Sequence, residues 1–362
     1  MTYFVKAQGL GEILRAAVPE VASAAVALIA LDRRTVAAAA VGEAARYAGP
    51  AEEPLPERPP VALDVLFDIA SLTKMFTATV LVSLAQEGAL GLDEPVAAWL
   101  PRFYGHRPGI TVRHLLTHSA GLPASRRVER EPEEARWDMV LSTPAQMPPG
   151  THLYSDVGMI TAGRVAEAAG GAPLDVLVRE RVTGPLGLDA TTYGPVEPGR
   201  AVATEFKPER CAGDRAGGAG GGVRGCVRGE VHDETAHALG GVTGHAGLFS
   251  TAADLVRFGE ALRTGGGPIL SPEWTAEMLR DQGVPGAAFR QGLGVRIGDP
   301  AIVGPLTDAF GHSGFTGTSL VVDPARRLTV VLLTNNVHPL RGRPGIRDLR
   351  HAVAAEALRL AG

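Results

Sequence analysis

Apolar residues near both ends of the chain follow the pattern of β-hairpins. Two apolar runs within residues 22–41 are separated by Asp32, Arg33 and Arg34, which predicts one hairpin. A short turn joins residues 318–322 to residues 328–334, which predicts another. An amphipathic pattern over residues 346–360 predicts a C-terminal helix after this second hairpin.

The middle of the chain carries helical patterns instead. Residues 71–89 have apolar positions at helical spacing and no proline, and Gly88 and Gly91 end the pattern. Few strand signals lie between the shorter predicted helices, at residues 112–116, 132–142, 157–170 and 174–182. A surface linker is predicted over the proline-rich residues 50–60 and a loop over the glycine-rich residues 210–230.

Strands at both chain ends, with helices between them, predict one antiparallel sheet assembled from the two ends. The expected fold class is α+β, with an α/β lobe of about residues 1–70 and 240–362 in which helices flank the sheet. A helical lobe of about residues 71–239 is inserted into it. A functional cleft is expected where the two lobes meet.

Composition limits the classes of function. Apolar and aromatic residues make up 45% of the chain and charged residues 20%, as in a globular protein. A net charge of −4 with mixed signs argues against a nucleic-acid partner. No apolar run reaches the roughly 18 residues of a transmembrane helix. The N-terminus also lacks a signal-peptide pattern, so a cytoplasmic location is expected, or secretion if a leader has been removed. The oligomeric state stays open.

Two cysteines, Cys211 and Cys226, flank the glycine-rich loop. They could close a disulfide in an oxidising compartment, or remain thiols in the cytosol. The pair alone supplies too few ligands for a structural metal site.

Lysine is rare in this chain, and one lysine follows a serine at helical spacing. Of 35 basic residues only Lys6, Lys74 and Lys207 are lysines. Lys74 follows Ser71 by three positions, so both side chains project from one face of the predicted helix. Serine needs a base to become a nucleophile, and a buried lysine with a lowered pKa can serve whereas arginine cannot. The alternative is an exposed lysine near an N-capping serine.

A tyrosine triplet, Tyr154-Ser155-Asp156, precedes a predicted helix. A phenol hydrogen-bonded to Lys74 could carry the proton of Ser71 to a leaving group. The alternative is a half-buried tyrosine followed by a capping aspartate.

The pattern His-x-Gly occurs at His245-Ala246-Gly247 and at His312-Ser313-Gly314. The first leads into a predicted helix and the second into the strand of residues 318–322, so only the second is expected to present a strand edge to an acyl substrate. Gly314 would allow close approach of the backbone, and the Ser313 hydroxyl could bind a substrate carboxylate or carbonyl.

Taken in order, these motifs resemble the serine β-lactamase-related family, which includes class C β-lactamases, D-alanyl-D-alanine carboxypeptidases and family VIII esterases. The resemblance covers nearly the whole chain through residues 67–74 (FDIASLTK), 110–122 (ITVRHLLTHSAGL), 154–156 (YSD) and 311–315 (GHSGF). Residues 229–234 and 240–250 are similar to a branch associated with bacterial cell-wall turnover, which includes muropeptide amidases and penicillin-binding-protein homologues.

The resemblance implies a β-lactamase/transpeptidase-like fold and a serine acyl-enzyme. Ser71 would be the nucleophile, Lys74 and Tyr154 the proton-handling pair, and the backbone N–H groups of Ser71 and Phe315 the oxyanion hole. The implied substrate-binding residues are Asp156, His312, Ser313 and Gly314. No metal or other cofactor is implied.

Two residues depart from the β-lactamase pattern. Asp156 stands where asparagine is usual, and its carboxylate would stabilise a protonated Lys74 and repel an anionic substrate. His312 replaces the usual lysine of the third motif and is expected to be only partly cationic near pH 7. Both changes argue against efficient β-lactam hydrolysis.

Histidine spacing gives little support for a metal site. His114 and His118 have helical spacing, but Leu115 stands where zinc proteases carry glutamate, so capping or core roles are favoured. Another group could gather around zinc: His232, Asp233, His237 and His245. Its irregular spacing favours a role in shaping the rim of the cleft.

The expected function is that of a serine hydrolase acting through an acyl-enzyme on an amide or ester bond. A peptidoglycan-derived peptide is the favoured substrate among small molecules and muropeptides. The alternatives are a family VIII-type carboxylesterase with weak β-lactamase activity, and a penicillin-binding protein that is acylated without turning over.

Overall fold

In the computed structural model, which describes residues 8–210 and 225–362, long strands lie near both chain ends and helices lie between them. The strands are β1 Ala24–Leu31, β2 Arg34–Gly42, β3 Phe67–Asp68, β4 Thr192–Tyr193, β5 Ala203–Phe206, β6 Cys226–Arg228, β7 Leu248–Ser250, β8 Arg290–Gln291, β9 Arg296–Ile297, β10 Phe310–Ser313, β11 Ser319–Asp323 and β12 Leu328–Thr334.

The helices are α1 Gln8–Ala17, α2 Thr73–Gln86, α3 Pro101–Tyr104, α4 Val112–Leu116, α5 Glu133–Leu141, α6 Asp156–Gly170, α7 Leu174–Val178, α8 Gly184–Leu186, α9 Glu234–Ala238, α10 Ala252–Arg263, α11 Pro272–Leu279, α12 Pro300–Val303 and α13 Ile346–Leu360. Short 3-10 turns lie at Ala70–Leu72, Val96–Ala98 and Pro198–Arg200, and a π-helical turn at Arg179–Thr183. None of the helices in the described residues has the length and apolar character that a membrane span requires.

The main sheet joins the two chain ends. Its strand order is β2-β1-β12-β11-β10-β9-β8, and neighbouring strands are antiparallel. The register between β1 and β12 runs from Ala25 opposite Thr334 to Leu31 opposite Leu328. The α+β fold class and both predicted hairpins are confirmed.

Helices cover both faces of this sheet, which explains the continuous apolar runs in its central strands. Successive side chains of a strand point to opposite faces. On one face Val26 and Leu28 enter a core shared with α2 and α10, and on the other Ala27 and Ile29 enter a core shared with α1 and α13.

Helix α2 is buried along nearly its whole length, from Thr73 to Ala85. A helix that is apolar on all sides is typical of a protein interior. The predicted helix over residues 71–89 is therefore confirmed in its centre, but Ser71 lies in the 3-10 turn that precedes α2. The division into lobes at about residues 70 and 240 stays an interpretation of this arrangement.

Several short elements differ from the sequence-based expectations. Helix α1 and the short strands β8 and β9 were not predicted. Residues 174–182 form α7 and then a π-helical turn. Most of the predicted glycine-rich loop, including Cys211 and with it the proposed disulfide, lies outside the described residues, while strand β6 occupies positions expected to be loop.

Candidate active site

Ser71 lies in a tight turn that hydrogen bonds hold in place. Strand β3 pairs with β7, and the buried Asp68 carboxylate accepts hydrogen bonds from the backbone N–H groups of Ala70 (2.8 Å) and His232 (2.6 Å). Ala70 adopts a φ of +47°, a left-handed conformation that is uncommon for a residue with a side chain. Asp68 thus stabilises the turn that presents Ser71 at the entry of α2.

The Lys74 ammonium is fully buried and surrounded by oxygen atoms. Its Nζ donates to Ser71 Oγ at 2.8 Å and to the His245 carbonyl at 3.1 Å, and it forms an ion pair with Asp156 Oδ1 at 2.8 Å. Burial alone would lower the pKa of Lys74, but the charges of Asp156 and Tyr154 outweigh it and raise that pKa. The expected lowered pKa is therefore wrong, whereas stabilisation of the ammonium by Asp156 is confirmed.

Tyr154 is placed by the loop that contains His118. The backbone N–H of Leu153 donates to the His118 carbonyl at 2.7 Å, and that of Ser155 donates to His118 Nδ1 at 3.2 Å. The His118 ring lies 4.5 Å from the Tyr154 ring. The Tyr154 hydroxyl donates to Ser71 Oγ at 3.2 Å, so the structure brings Ser71, Lys74 and Tyr154 together.

The third motif ends strand β10 and does not lead directly into the next strand. A Cβ at Gly314 would lie 2.6 Å from the Ile69 carbonyl oxygen and 2.2 Å from Thr318 Oγ1, so only glycine fits without displacement. Thr316 Oγ1 donates to the Asp68 carbonyl at 2.8 Å. These contacts join the end of β10 to the turn that holds Ser71.

Phe315 follows Gly314 at the mouth of the cleft and is 59% exposed. Its ring contacts the His232 ring, with 5.8 Å between ring centres, and the Arg341 guanidinium, 5.4 Å from the Phe315 ring centre. Both of these groups bind the Glu205 carboxylate, His232 at 2.8 Å and Arg341 Nε at 2.6 Å. Within the described part of the chain the Phe315 N–H has no hydrogen-bond acceptor, so it is available to a ligand.

His312 differs from the expected substrate-binding role. Its side chain is 2% exposed and its Nδ1 donates to the Ser313 carbonyl at 2.8 Å. Burial, followed by the charges of Arg296 and Lys74, holds its pKa well below the usual range. His312 is therefore neutral near pH 7, which corrects the expectation of partial charge, and it lies below the cleft surface that Ser313 and Gly314 line.

The cleft above Ser71 has a volume of about 750 Å³ and is lined by charges of both signs. Its charged lining residues are Arg127, Arg296, Arg341 and Arg350, and Glu129, Asp156, Asp233 and Glu234. The sequence did not single out these arginines, because arginine is common in this chain and spacing alone does not bring β9, α13 and their loops to one cleft.

His114 and His245, which the sequence also singled out, have structural partners. His114 completes the cap of α4 with Thr111. His245 Nε2 lies 3.0 Å from Asp233 Oδ1, and the carbonyl of the same residue accepts from Lys74, so the first His-x-Gly motif also contributes to the site. Among the described residues no cluster of histidine, cysteine and carboxylate side chains could hold a metal ion.

Comparison with known proteins agrees with this geometry. A protein of Escherichia coli strain K12 named "Putative D-alanyl-D-alanine carboxypeptidase" is 33% identical over 350 residues, which cover 86% of this chain and 78% of that protein. N-acetylmuramyl-L-alanine amidase of Bacillus subtilis strain 168 is 32% identical over 350 residues, covering 87% and 77%. The solved structure of EstCE1, a hydrolase with promiscuous acyltransferase activity, shares the fold with a TM-score of 0.71 at 24% identity, covering 95% of this chain and 98% of that one. Because the Beta-lactamase family model also matches residues 15–355, the chain belongs to the β-lactamase family of serine hydrolases.

Proposed function

We propose that this enzyme hydrolyses an amide bond of peptidoglycan-derived peptides through an acyl-enzyme on Ser71. The observation that carries the proposal is the position of Ser71 Oγ, 2.8 Å from Lys74 Nζ and 3.2 Å from the Tyr154 hydroxyl, at the base of an open cleft. The amide class is supported by the carboxypeptidase and the amidase to which the chain is similar over most of its length.

Tyr154 is the group placed to receive the proton of Ser71. Lys74 holds an ammonium whose neighbours are all oxygen atoms, so in the resting site it acts as a donor and not as a base. In the resting site Tyr154 is a hydroxyl donor, so it must first lose its own proton to solvent. As a phenolate it then takes the hydroxyl proton of Ser71 while Ser71 Oγ bonds to the substrate carbonyl carbon. The same proton then passes from Tyr154 to the nitrogen of the leaving amine as the amide bond breaks.

The oxyanion that forms on the carbonyl is stabilised by two backbone N–H groups in this proposal. Ser71 supplies one at the entry of α2, and Phe315 supplies the other beyond the end of β10. Donors held in place before the reaction stabilise the developing charge without reorganisation. Water then attacks the ester carbon, Tyr154 takes a proton from that water, and Ser71 leaves with a proton returned through Tyr154.

The charges of the cleft support a zwitterionic peptide as substrate. Arginines and carboxylates both line it, so a peptide carrying free amino and carboxylate groups finds partners of each sign. A β-lactam with a single carboxylate meets Asp156 close to the nucleophile and no cation at His312. We therefore expect weak β-lactam hydrolysis.

The test is time-resolved intact mass together with product analysis on the wild-type protein and on Ser71→Ala. Ser125→Ala, which changes another serine lining the cleft, is the matched control. Muropeptides, a D-Ala-D-Ala peptide and short-chain nitrophenyl esters are the substrates. A transient adduct on Ser71 with continuing release of an amine supports the proposal.

Three results would contradict the proposal. Hydrolysis of the nitrophenyl esters without hydrolysis of the muropeptides or the D-Ala-D-Ala peptide would indicate a carboxylesterase. A permanent stoichiometric adduct on Ser71 would indicate a penicillin-binding protein. Full hydrolysis by Ser71→Ala would remove Ser71 from the reaction altogether.

A further inference from the structure

Tyr154 requires nearby positive charge to act as a proton acceptor, since a phenolate is costly in a partly buried site. Groups from several elements face its ring. They are Lys74 on α2, Asp156 on α6, His118 in the loop after α4, His312 on β10 and Arg296 on β9. Their charges decide how readily Tyr154 gives up and takes a proton.

Most of these groups supply little net positive charge. The ammonium of Lys74 lies 5.2 Å from the Tyr154 ring centre, but Asp156 pairs with it at 2.8 Å and offsets its field. Burial holds the pKa values of His118 and His312 well below their usual range, so both rings are neutral near pH 7. The third-motif position, where the β-lactamase pattern has lysine, thus provides no cation here.

Arg296 places a cation beside the Tyr154 ring. Its guanidinium carbon lies 4.9 Å from the centre of the Tyr154 ring, and it lines the cleft. Arg296 is paired with Gly311 in the sheet, directly beside His312 on β10. Arginine side chains are not deprotonated in proteins. Its ion pair with Asp299, at 3.0 Å, fixes the guanidinium in this position.

We propose that Arg296 is the positioning residue that supplies the permanent positive charge beside Tyr154, in place of the third-motif lysine that this chain lacks. The inference rests on the proposed function, because it assigns Arg296 a role only if Tyr154 carries the proton of Ser71. Arg296 acts through Tyr154 and forms no bond with the reacting atoms.

The experiment compares the pH dependence of kcat/KM for Arg296→Gln, Arg296→Lys and Asp299→Asn. The Arg296 charge lies 4.9 Å from the Tyr154 ring centre and is partly offset by Asp299. Removing a charge at such a distance shifts the midpoint of a pH profile by about one pH unit. We therefore expect Arg296→Gln to shift the ascending limb of the pH profile toward higher pH by about one pH unit. At pH 7 this variant should have a kcat lowered about tenfold, with KM little changed. Arg296→Lys should keep most of the wild-type profile.

Asp299→Asn is the matched control, since it removes the negative charge of the pair while the asparagine oxygen can still accept a hydrogen bond from the Arg296 guanidinium. Its ascending limb should stay in place or move to lower pH. A second variant, Arg296→Gln with His312→Lys, returns a cation to the Tyr154 ring from the neighbouring strand and should restore the wild-type limb.

Other outcomes would overturn the inference. An equal loss of kcat in Arg296→Gln and Asp299→Asn without a shifted limb would show that the ion pair only holds the fold. A rise in KM alone would make Arg296 a substrate-binding residue. Intact mass on Arg296→Gln separates the two proposals: a Ser71 adduct with an unmoved pH profile rejects only the role of Arg296, whereas the absence of any Ser71 adduct in the wild-type protein rejects the proposed function.

Discussion

Replacing Gly314 by alanine adds one methyl group between the end of β10 and the turn that holds Ser71. The new Cβ would lie 2.6 Å from the Ile69 carbonyl oxygen, about 0.8 Å inside the ordinary contact distance. Because that oxygen belongs to the backbone, it cannot rotate away, and the segment carrying Phe315 must retreat from Ser71. We expect kcat to fall about 10²-fold, since misplacing one oxyanion donor has effects of this size.

The same substitution is expected to lower the free energy of unfolding by about 1–3 kcal/mol, as for other overpacked positions. Urea denaturation and stopped-flow hydrolysis of a nitrophenyl ester measure the two effects. Gly109→Ala is the control, because a Cβ there meets only Pro149 Cγ at 3.9 Å. A Gly314→Ala enzyme with kcat within about twofold of the wild type would refute the reasoning, since even one misplaced donor should have a larger effect.

Lys74→Arg is expected to slow acylation of Ser71 by about 10²-fold, because a guanidinium does not fit among the three oxygens that the ammonium contacts and would displace Ser71. Time-resolved intact mass measures the rate, and near-normal acylation would show that the Lys74 ammonium does not position Ser71. Asp156→Asn removes the negative charge that offsets the Lys74 ammonium, so the net positive charge beside Tyr154 should rise and the ascending limb of the kcat profile should move to lower pH; an unmoved limb would contradict this. Burial lowers the pKa of His338 from 6.5 to about 4, and its Nδ1 donates to the Thr204 carbonyl at 2.8 Å. Its contribution to stability is therefore complete above pH 6.5 and falls by up to about 3 kcal/mol toward pH 4. His338→Gln should flatten this part of the urea-derived stability curve relative to the wild type, and equal slopes would argue against it.

Local pattern was sufficient to predict the main elements and to pair Ser71 with Lys74. The hairpin near each chain end and the helix α13 follow from hydrophobic periodicity, which depends only on neighbouring residues. Ser71 and Lys74 could be paired from their spacing, because three positions bring two side chains to one helical face. Tyr154 required the resemblance to a family, since nothing local joins it to Ser71, which lies 83 positions earlier.

Protonation and charge at the site were decided by the tertiary structure. The sequence suggested a lysine with a lowered pKa, yet the fold brings the Asp156 carboxylate and the His245 carbonyl to Lys74 and keeps it charged. It also buries His312, which therefore stays neutral. A pKa depends on desolvation and on charges within a few ångströms, and these come from segments far apart in the chain.

The sequence by itself determined which residues of this protein are candidates for acyl transfer and the order in which they occur. The tertiary structure decided which of them carry charge, and it placed Arg296 beside Tyr154 through the pairing of β9 with β10. The physical reason is that the residue type fixes which groups a side chain can offer to a reaction. The charges and burial around that side chain depend instead on how distant segments pack together.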